Sequence, residues 1–372
     1  MNVAYFAHEL ADAAVRRRVA MMRSGGGAVT LLGFARERGA GATKAGEGVV
    51  LGVTHNQRLA HRLLAVLGAL PKAWSAQASW RHADVLIARN LEMLALAWAL
   101  AVFSRAKGRL IYECLDIHRL MSAPGLVGAG LRLVERTLLR RVAAVVTSSP
   151  AFVDRHFRAK QRYAGEIILA ENKLLARGGD ALEATRRPGP PWKIAWCGVL
   201  RCRRSLTVLD QLTRAHGGQV EVHLWGKPAH DQLPDFEAVV ADNPQLHFHG
   251  QYEPDEVGAI YGAAHFAWAI DFYEAGGNSD WLLPNRLYES IAFGAVPIAA
   301  AGVETARWLN QHGVGAVLSE PLGENLDAFM RSLTPSRFSE LATAVGALDA
   351  ALTQETPESC AALVARLAGG PR

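Results

Sequence analysis

The chain has 372 residues, of which 50% are hydrophobic and 20% charged, and its formal net charge is +5. This apolar fraction excludes a mainly disordered chain, because such a sequence can bury enough surface to offset the entropy lost on folding. The length suits two domains of ordinary size. The four cysteines have neither CxxC nor metal-ligand spacing, which favours free thiols in a reducing compartment over a disulfide framework.

Neither the N-terminal residues nor the longest apolar runs predict export or a membrane span. The N-terminal MNVAYFAHEL turns polar after a few apolar residues and has no basic region before a long apolar stretch, so we expect no signal peptide. The longest uncharged apolar runs are Met93–Phe103 and Ile291–Val303. Both are shorter than the roughly 20 residues that a spanning helix needs. We expect a soluble protein that is able to touch a membrane surface.

The first half alternates short β-like runs with longer runs of helical period. The strand candidates are Asn2–Phe6, Ala28–Phe34, Val85–Ala88, Arg109–Glu113 and Ala143–Thr147. The helix candidates between them are Asp12–Ser24, Leu59–Leu70, Glu92–Phe103, Leu131–Arg141 and Pro150–Tyr163. This alternation predicts a parallel sheet built from βα units.

A Gly- and Pro-rich stretch from Arg177 to Trp192 has little apolar periodicity and indicates an interdomain linker. The alternation then restarts, with strand candidates at Lys193–Gly198, Val220–Trp225, Leu246–Gly250, Phe266–Ile270 and Val296–Ala300. Helix candidates follow at Leu206–Ala215, Asp255–Ala264, Asn285–Phe293 and Ser336–Leu367. We predict a Rossmann-like domain at 1–178, a linker at 179–192, a second Rossmann-like domain at 193–345, and a terminal helix within 346–372 that returns to the first domain.

The loops after the strands are the places to look for chemistry. In open parallel sheets, ligands bind beyond the carboxyl ends of the strands, at the point where the strand order reverses. Two such sheets in one chain predict a ligand cleft between two doubly wound domains. His8 and Asp12 follow the first strand candidate, and Asp116 and His118 follow a later one.

In the second domain, Gly198 ends a strand, and Arg201, Arg203 and Arg204 lead into a helix. Backbone N–H groups and the helix dipole favour phosphate there, and arginine adds bidentate charge, although a solvated basic loop has the same appearance. Gly226 ends the next strand, where a glycine permits close approach of a ligand to the backbone.

The segment from Asn278 to Pro297 carries the densest pattern. Pro284 is suited to open a helix, and Asn285, Arg286 and Glu289 then fall on one side of it. A carboxylate in that position is able to accept two ribose hydroxyls, and the arginine and the helix N-terminal amides are able to hold a diphosphate. A surface ion pair between Arg286 and Glu289 is the plainer alternative.

These residues resemble a known family. Arg286-Leu-Tyr-Glu289-Ser-Ile-Ala-Phe-Gly294-Ala-Val-Pro297 resembles the donor-binding motif of GT-B glycosyltransferases related to family 4, in which a Lys or Arg and a Glu precede a Gly-x-x-Pro turn. Gly198 to Arg204 resembles the basic phosphate loop of that family. The first half resembles its ExoL-like branch from succinoglycan biosynthesis, in the stretches FAHELADAAVRRRV (6–19), ARNLEM (88–93), YECLDIHR (112–119) and TSSPAF (147–152).

The resemblance implies an α/β fold of the GT-B type, with two Rossmann-like doubly wound domains facing across a cleft. The first domain would bind the acceptor and the second the nucleotide-sugar donor, which we expect to be UDP-glucose. The donor residues implied are Gly198, Arg201, Arg204, Gly226, Asp280, Asn285, Arg286 and Glu289. The family pattern has a second glutamate eight residues before Glu289, where this chain has Trp281, and we expect Asp280 beside it to contact the sugar instead. No bound metal or other cofactor is implied.

Inverting transfer needs a general base within hydrogen-bond reach of the acceptor hydroxyl. We expect Asp116 to be that base and His118 to contact the donor sugar, with Glu113 and Asp12 as competitors and His8 nearby. Each carboxylate also has the plainer possibility of capping the next helix. Retaining members of the family need no such base, and the sequence leaves the stereochemistry open.

His247 and His249 alternate along a strand candidate in the second domain. A metal site would need further ligands in suitable geometry, and none is adjacent in the sequence. We interpret these two histidines as structural.

The function predicted is transfer of a hexosyl group from a nucleotide diphosphate sugar to a lipid-linked saccharide in exopolysaccharide biosynthesis. Two alternatives are a nucleotide-sugar 2-epimerase of the same fold and a non-catalytic nucleotide-sugar binder. An epimerase gives no reason for a basic first domain. Nucleic acid is not an expected partner, because the basic residues are not interleaved with aromatic stacking residues.

The net charge hides an asymmetry between the two halves. Residues 1–180 carry 26 Lys and Arg against 13 Asp and Glu, whereas residues 181–372 carry 14 against 22. A basic acceptor domain favours an anionic membrane surface as a partner, and hence a peripheral location on the cytoplasmic face. Arg132, Arg136, Arg140 and Arg141 on an otherwise apolar helix are the expected contact, and a core-packed helix with a solvated basic face is the alternative.

Overall fold

The computed structural model describes residues 1–36, 48–54, 59–176 and 185–370. The chain divides into two compact units. The first comprises Met1–Glu171 and Glu355–Arg372, and the second Asn172–Gln354.

The first unit is built on a seven-stranded parallel sheet of strand order β3-β2-β1-β4-β5-β6-β7. Its strands are β1 (Asn2–Ala7), β2 (Ala28–Arg36), β3 (Val49–Thr54), β4 (Val85–Arg89), β5 (Arg109–Cys114), β6 (Ala144–Thr147) and β7 (Glu166–Leu169). The order reverses between β1 and β4, so the loops after these two strands flank the expected ligand-binding point.

Helices connect these strands, as right-handed crossovers between parallel strands require. They are α1 (Ala13–Ser24), α2 (Leu59–Ser75), α3 (Leu91–Ser104), α4 (Arg119–Ser122) and α5 (Leu126–Leu139), and a π-helical segment follows at Phe152–Arg158. The apolar run predicted to be a buried helix forms α3, whose Met93, Leu94 and Leu100 are buried.

The second unit contains a six-stranded parallel sheet of order β11-β10-β9-β12-β13-β14. The strands of this sheet are β9 (Trp192–Leu200), β10 (Val220–Pro228), β11 (Leu246–Gly250), β12 (Phe266–Trp268), β13 (Val296–Ala300) and β14 (Ala316–Leu318). A short strand outside this sheet, β8 (Leu174–Leu175), precedes them in the chain. Its helices are α6 (Arg203–His216), α7 (Phe236–Asp242), α8 (Val257–Ala263), α9 (Asn278–Trp281), α10 (Asn285–Ala292), α11 (Glu304–His312), α12 (Leu322–Arg331) and α13 (Pro335–Gly346). The strand order reverses between β9 and β12.

The last elements are β15 (Gln354–Glu355) and α14 (Pro357–Ala368). The α14 helix belongs to the first unit, where the backbone of Gly25 at the end of α1 comes so close to Cys360 that a Cβ would lie 2.3 Å from its carbonyl oxygen. A capping box between Thr356 and Ser359 starts α14, which accounts for its clear beginning after a short break.

The observed unit boundaries differ from the predicted domain limits at 178 and 345. The second unit already begins at Asn172, because Leu174 donates a backbone hydrogen bond of 2.9 Å to the Thr353 carbonyl and so ties its start to its end. Residues 177–184 lie outside the described residues, and they include positions 179–184 of the predicted linker.

The predicted helix over Ser336–Leu367 is two helices, α13 and α14. Five strands had no counterpart in the sequence prediction, namely β3, β7, β8, β14 and β15. Those that belong to the two large sheets, β3, β7 and β14, are three to six residues long, and each sits at an edge of its sheet, where one-sided pairing leaves a weak apolar pattern. The strands β8 and β15 have only two residues each. Among the described residues, no helix combines the length and the hydrophobicity that crossing a bilayer requires.

Gly226 is required by the packing of two strands. It pairs in register with Gly198 of β9, and its φ of +128° lies where side-chain-bearing residues are strained. A Cβ on Gly226 would lie 1.8 Å from the Gly198 carbonyl oxygen. The sequence predicted a ligand close to the backbone of Gly226, and in the structure the group that lies close to it is the Gly198 carbonyl of β9.

We expect Gly226→Ala to destabilise the protein by about 3 kcal/mol or more, because the clash meets backbone atoms and the φ is strained as well. The measurement is the free energy of unfolding in urea. The control is Gly323→Ala in α12, where a Cβ meets nothing within 4 Å and helix propensity predicts a gain of up to about 1 kcal/mol. Equal unfolding curves for Gly226→Ala and the wild type would contradict this account.

Candidate functional site

A buried charge network lies beneath the carboxyl edge of the first sheet. Glu113, the penultimate residue of β5, is only 1% exposed. Its Oε1 accepts a hydrogen bond of 2.8 Å from Arg18 Nε of α1, and its Oε2 accepts one from the Tyr5 hydroxyl of β1. Arg89 at the end of β4 contributes a second cation, with Nη1 3.7 Å from Glu113 Oε2.

The same arginines reach further into the unit. Arg18 Nη2 donates to the Ala170 carbonyl at 2.8 Å, just after β7, and Arg89 Nη1 donates to the Tyr5 hydroxyl at 3.4 Å. Burial and the charge of Glu113 raise the pKa of Tyr5 well above its ordinary value, so this hydroxyl stays protonated. The network thereby joins α1 to the strands that flank the reversal point.

Asp12 connects this network to the loop after β1. Its Oδ1 caps α1 by accepting from the backbone N–H groups of Ala14 at 2.8 Å and Val15 at 3.0 Å. Its carboxylate also lies 3.7 Å from Arg89 Nη2 and 3.7 Å from His8 Nε2. Burial opposes ionisation, but Arg89, His8 and the two amides outweigh it and lower the pKa of Asp12. The helix-capping alternative considered for this residue is therefore realised.

Asp116 and His118 lie beyond β5, outside the buried network. Asp116 is exposed, so solvent and substrate are able to reach its carboxylate. His118 is the N-cap residue of α4, and its Nδ1 accepts a hydrogen bond of 3.2 Å from the backbone N–H of Leu120. In the neutral ring the proton then resides on Nε2, which becomes a hydrogen-bond donor.

The structure divides the five predicted catalytic candidates between the buried network and the exposed loop after β5; they are His8, Asp12, Glu113, Asp116 and His118. Because a base must reach the proton that it takes, the buried and doubly occupied Glu113 does not have the geometry of a general base. Arg89 joins Asp12 to Glu113, and His8 joins this group through Asp12, whereas Asp116 is the most exposed of the three predicted carboxylates.

In the second unit, a cavity of about 230 Å³ lies at the carboxyl edge of the sheet. Its walls come from the start of α6, which follows β9, and from the segments after β12, β13 and β14, so it lies at the strand-order reversal. Its lining residues are Arg204, Phe272, Ala275, Gly276, Asp280, Ala300, Ala301, Gly302, Val303, Leu318 and Glu320. Ala301, Gly302 and Val303 lead into the N-terminus of α11, and such an end favours bound anions.

Arg204 is the principal cation of this cavity. Its Nη2 donates to both oxygens of Glu320, at 2.7 and 2.6 Å, and its guanidinium lies 4.3 Å from the centre of the Phe272 ring. The hydrogen bonds from Arg204 lower the pKa of Glu320, so the pair is ionised. Asp280 also lines the cavity, and its Oδ2 accepts a hydrogen bond of 3.0 Å from the Gly276 amide.

A second arginine, Arg201, projects from the loop after β9. Its Nη2 donates to Asp271 Oδ2 at 3.0 Å, and its guanidinium lies 4.5 Å from the centre of the Tyr273 ring. Burial of Asp271 opposes ionisation, but the charges of Arg286 and Arg201 outweigh it and lower the pKa of that carboxyl. The positive charges of the predicted residues Arg201 and Arg286 therefore both stabilise the carboxylate of Asp271, which lies shortly after β12.

Arg286 and Glu289 lie in the first turns of α10, as the sequence predicted. Glu289 is 5% exposed, and its charge acts on the pKa of Cys197 within β9. Burial raises the pKa of Cys197 to about 12, and the charge of Glu289 adds to this, whereas the charge of Arg286 opposes it. Asn285 is the first residue of α10, after Pro284, which stands at the capping position in an extended conformation.

The predicted donor residues are thus brought together in part. Arg204 and Asp280 line one cavity, and Arg201 and Arg286 share Asp271. Gly198 has a φ of +112°, and a Cβ at this position would meet no other atom within 4 Å. Gly226 instead serves the packing of β9 against β10.

Sequence reasoning missed Asp271, Phe272, Glu320 and Arg89 as site residues. Asp271 follows a predicted strand directly, and the rule of inspecting every loop after a strand would have found it. Arg89 lies in the stretch ARNLEM, which was noted for its resemblance without a role. Glu320 offered no signal, because β14 was not predicted.

One group of side chains among the described residues is spaced to hold a metal ion. It consists of Glu221, His223 and His247, on β10 and β11 at the end of the sheet away from the cavity.

The amino-acid sequence is similar to one curated protein over nearly its full length. It is 41% identical to the succinoglycan biosynthesis protein ExoL of Rhizobium meliloti (strain 1021), across 99% of this chain and 93% of that protein. No protein-family model matches the chain.

Solved structures share the fold at low sequence identity. The sucrose-phosphate synthase of Thermosynechococcus elongatus superposes with a TM-score of 0.68 at 14% identity, over 99% of this chain and 98% of that one. The Anabaena protein Alr3699/HepE, in complex with UDP and glucose, gives a TM-score of 0.65 at 14% identity over 98% of both chains. These likenesses confirm the predicted GT-B fold.

We expect Glu113→Gln to destabilise the first unit by about 3–5 kcal/mol, because it leaves Arg18 and Arg89 buried with one counter-charge fewer. The control is Asp116→Asn, an exposed carboxylate whose replacement should change the free energy of unfolding by less than about 0.5 kcal/mol. Denaturant unfolding of both variants provides the measurement. If Glu113→Gln unfolded like the wild type, the buried network would not have the structural role assigned to it.

Proposed function

Because the chain belongs to the family of the succinoglycan biosynthesis protein ExoL and is a glycosyltransferase, we propose that it transfers a hexosyl group from a UDP-sugar to a lipid-linked saccharide. In this proposal the donor is UDP-glucose, and the product is an intermediate of exopolysaccharide assembly. The name of the relative supports the pathway, and the UDP and glucose bound to the similar HepE structure support the donor class. Being a transferase, the chain is neither the epimerase nor the non-catalytic binder considered above.

The observation that carries the donor assignment is the cavity at the carboxyl edge of the second sheet. It combines a cation, Arg204, with the N-terminal end of α11 and an aromatic ring, Phe272. Guanidinium groups and helix N-termini stabilise diphosphate. Asp280 and Glu320 are the carboxylates of the lining, and in our proposal Asp280 accepts hydrogen bonds from sugar hydroxyls.

Glu289 and Arg286 extend the proposed donor site along α10. A buried carboxylate is well suited to accept two hydroxyl groups of a ribose, because each hydrogen bond to a charged acceptor is stronger than a neutral one. Arg286 and Arg201 add positive charge near Asp271, which we propose for the diphosphate. Asn285 and Gly198 contribute backbone and amide groups beside them.

In the first unit we propose Asp116 as the general base for an inverting transfer. Its carboxylate is the accessible one after β5, whereas Glu113 is enclosed by Arg18 and Tyr5. His118, with its proton on Nε2, is proposed to donate a hydrogen bond to the donor sugar. Asp12 and His8 act in this proposal by holding the loop after β1 in place through Arg89.

A peripheral position on an anionic, cytoplasmic membrane face completes the proposal, because a lipid-linked acceptor resides there. The α5 helix exposes an apolar row formed by Leu126, Val127, Leu133 and Val134. Arg140 and Arg141 are exposed at its end, whereas Arg132 and Arg136 donate to backbone carbonyls of Met121 and Lys160. The exposed surface is therefore apolar with a basic end, which differs from the row of four arginines expected.

For donor binding, we expect Arg204→Ala and Glu289→Gln each to weaken UDP-glucose binding about 10- to 100-fold, because each removes a charge-assisted hydrogen bond. The matched control is Arg203→Ala. This neighbouring arginine pairs with Asp235 on the surface and does not line the cavity. Isothermal titration of the three variants with UDP-glucose gives the affinities, and equal losses in all three would contradict the assignment.

For catalysis, we expect Asp116→Asn to retain UDP-glucose affinity and to lower kcat by about 100-fold or more, since it removes a general base. The assay follows UDP release with a lipid-linked saccharide extract as acceptor. A loss below about 10-fold would argue against the base role and favour a retaining reaction.

For the membrane, we expect the wild type to sediment with anionic vesicles and the double variant Leu133→Ser/Val134→Ser to bind at least about 10-fold more weakly, because less apolar surface enters the interface. Val199→Ser, at an exposed apolar residue of the second unit, is the control. Wild-type protein that remains in the supernatant at low salt would exclude this docking.

A further inference from the structure

Five side chains on β10 and β11 form a compact cluster on one face of the second sheet. They are Glu221, His223, Trp225, His247 and His249. Residues two apart in a strand point to the same face, and the parallel register sets His223 beside His247. The sequence showed only the two histidines of β11, and the neighbouring strand supplies the rest.

The spacing of three of these groups fits a metal ion. One ligand atom each from Glu221, His223 and His247 lies within 4.8 Å of the other two. Three such atoms fit a circle of radius about 2.8 Å, so an ion at its centre is within about 1 Å of the ~2.0–2.2 Å that Zn²⁺ prefers for nitrogen and carboxylate oxygen. Side-chain rotation is enough to close that difference.

His223 is the central member of the cluster. Its Nδ1 lies 2.9 Å from His249 Nε2, and the His249 ring stacks on Trp225 with ring centres 4.1 Å apart. The other nitrogen, Nε2, is buried, has no hydrogen-bond partner among the described residues, and lies 3.4 Å from Glu221 Oε2. With Nδ1 committed to His249, Nε2 is the nitrogen that an ion would bind, and His249 fixes the required tautomer.

The ligand chemistry selects the class of ion. Two imidazoles and one carboxylate suit Zn²⁺ and similar transition metals, whereas Ca²⁺ and Mg²⁺ prefer oxygen ligands alone. A charged neighbour on the adjacent strand β9 is Lys193, which pairs in register with Glu221 of β10. The carboxylate of Glu221 therefore has the positive charge of Lys193 beside it when the site is empty, and that of the proposed ion as well when the site is filled.

We propose that Glu221, His223 and His247 bind one divalent transition-metal ion of the Zn²⁺ class, with His249 orienting His223 and water completing the coordination. The site lies on β10 and β11, whereas the proposed donor cavity lies after β9, β12, β13 and β14. The ion clamps the edge strand β11 to β10 and has no part in sugar transfer. It therefore stands independently of the proposed function.

The test uses the full chain without a polyhistidine tag, stripped of metal with a chelator and then dialysed. We expect calorimetric titration with Zn²⁺ to give one strong equivalent, and Co²⁺ to give the visible absorption of a low-symmetry nitrogen and oxygen site. Zn²⁺ at about 100 times its Kd should raise the melting temperature by about 5 °C or more.

Variants assign the ligands. His247→Gln and Glu221→Gln should each weaken Zn²⁺ binding at least 10-fold, and His249→Gln, which removes the orienting partner, about 10- to 100-fold. His230→Gln is the matched control, because His230 is an exposed histidine of the same unit beside Glu237. Circular dichroism spectra of the metal-free variants establish that each is folded.

Two outcomes overturn the proposal. The first is a wild-type chain that binds no Zn²⁺ and acquires no visible Co²⁺ absorption. The second is Zn²⁺ binding that persists with equal affinity in folded His247→Gln and Glu221→Gln, which would assign the ion to other surface histidines.

Discussion

The loops at the carboxyl edge of the first sheet depend on the buried carboxylate of Glu113. Glu113 lies in the interior with Arg18 and Arg89 on either side and Tyr5 hydrogen-bonded to it, so three strands and a helix share a single charge balance. Such a group is costly to desolvate and more costly to leave without its partners. It therefore fixes how β1, β4 and β5 end, and with them the loops that present His8, Asp12 and Asp116. The exposed residues at this edge of the sheet are therefore held in place by a charge network that is buried beneath them.

In the second unit the cations are balanced before any substrate arrives. Arg204 has Glu320 and Arg201 has Asp271, so neither arginine projects a bare charge. The Arg204–Glu320 pair is exposed, and exposed pairs contribute little net stability. A diphosphate is therefore able to replace Glu320 as the partner of Arg204 at small cost. The more buried Asp271 is held by Arg201 and Arg286 together, which favours a fixed framework beside an exchangeable partner.

The alternation of strands and helices was enough to predict the fold, because βα units leave a local apolar pattern. The motif from Pro284 to Pro297 was equally local, and it placed Arg286 and Glu289 on α10 correctly. The network around Glu113 could not be predicted, since Arg18 and Tyr5 lie 95 and 108 positions away in the chain. The histidine cluster has the same origin: His247 appears isolated until the register of two strands brings His223 beside it. Pairings across a sheet carry no signature in either strand alone.

The placement of α14 has a consequence for how the chain acquires its structure during synthesis. The helix that covers α1 is encoded some 330 residues after it, beyond the whole second unit. While the ribosome is still making the second unit, the first exposes the surface on which Cys360 and its neighbours later pack. The second unit, by contrast, is contiguous and is able to complete itself as soon as it emerges. The first unit is therefore synthesised first, but it completes its fold only after the second unit has been made.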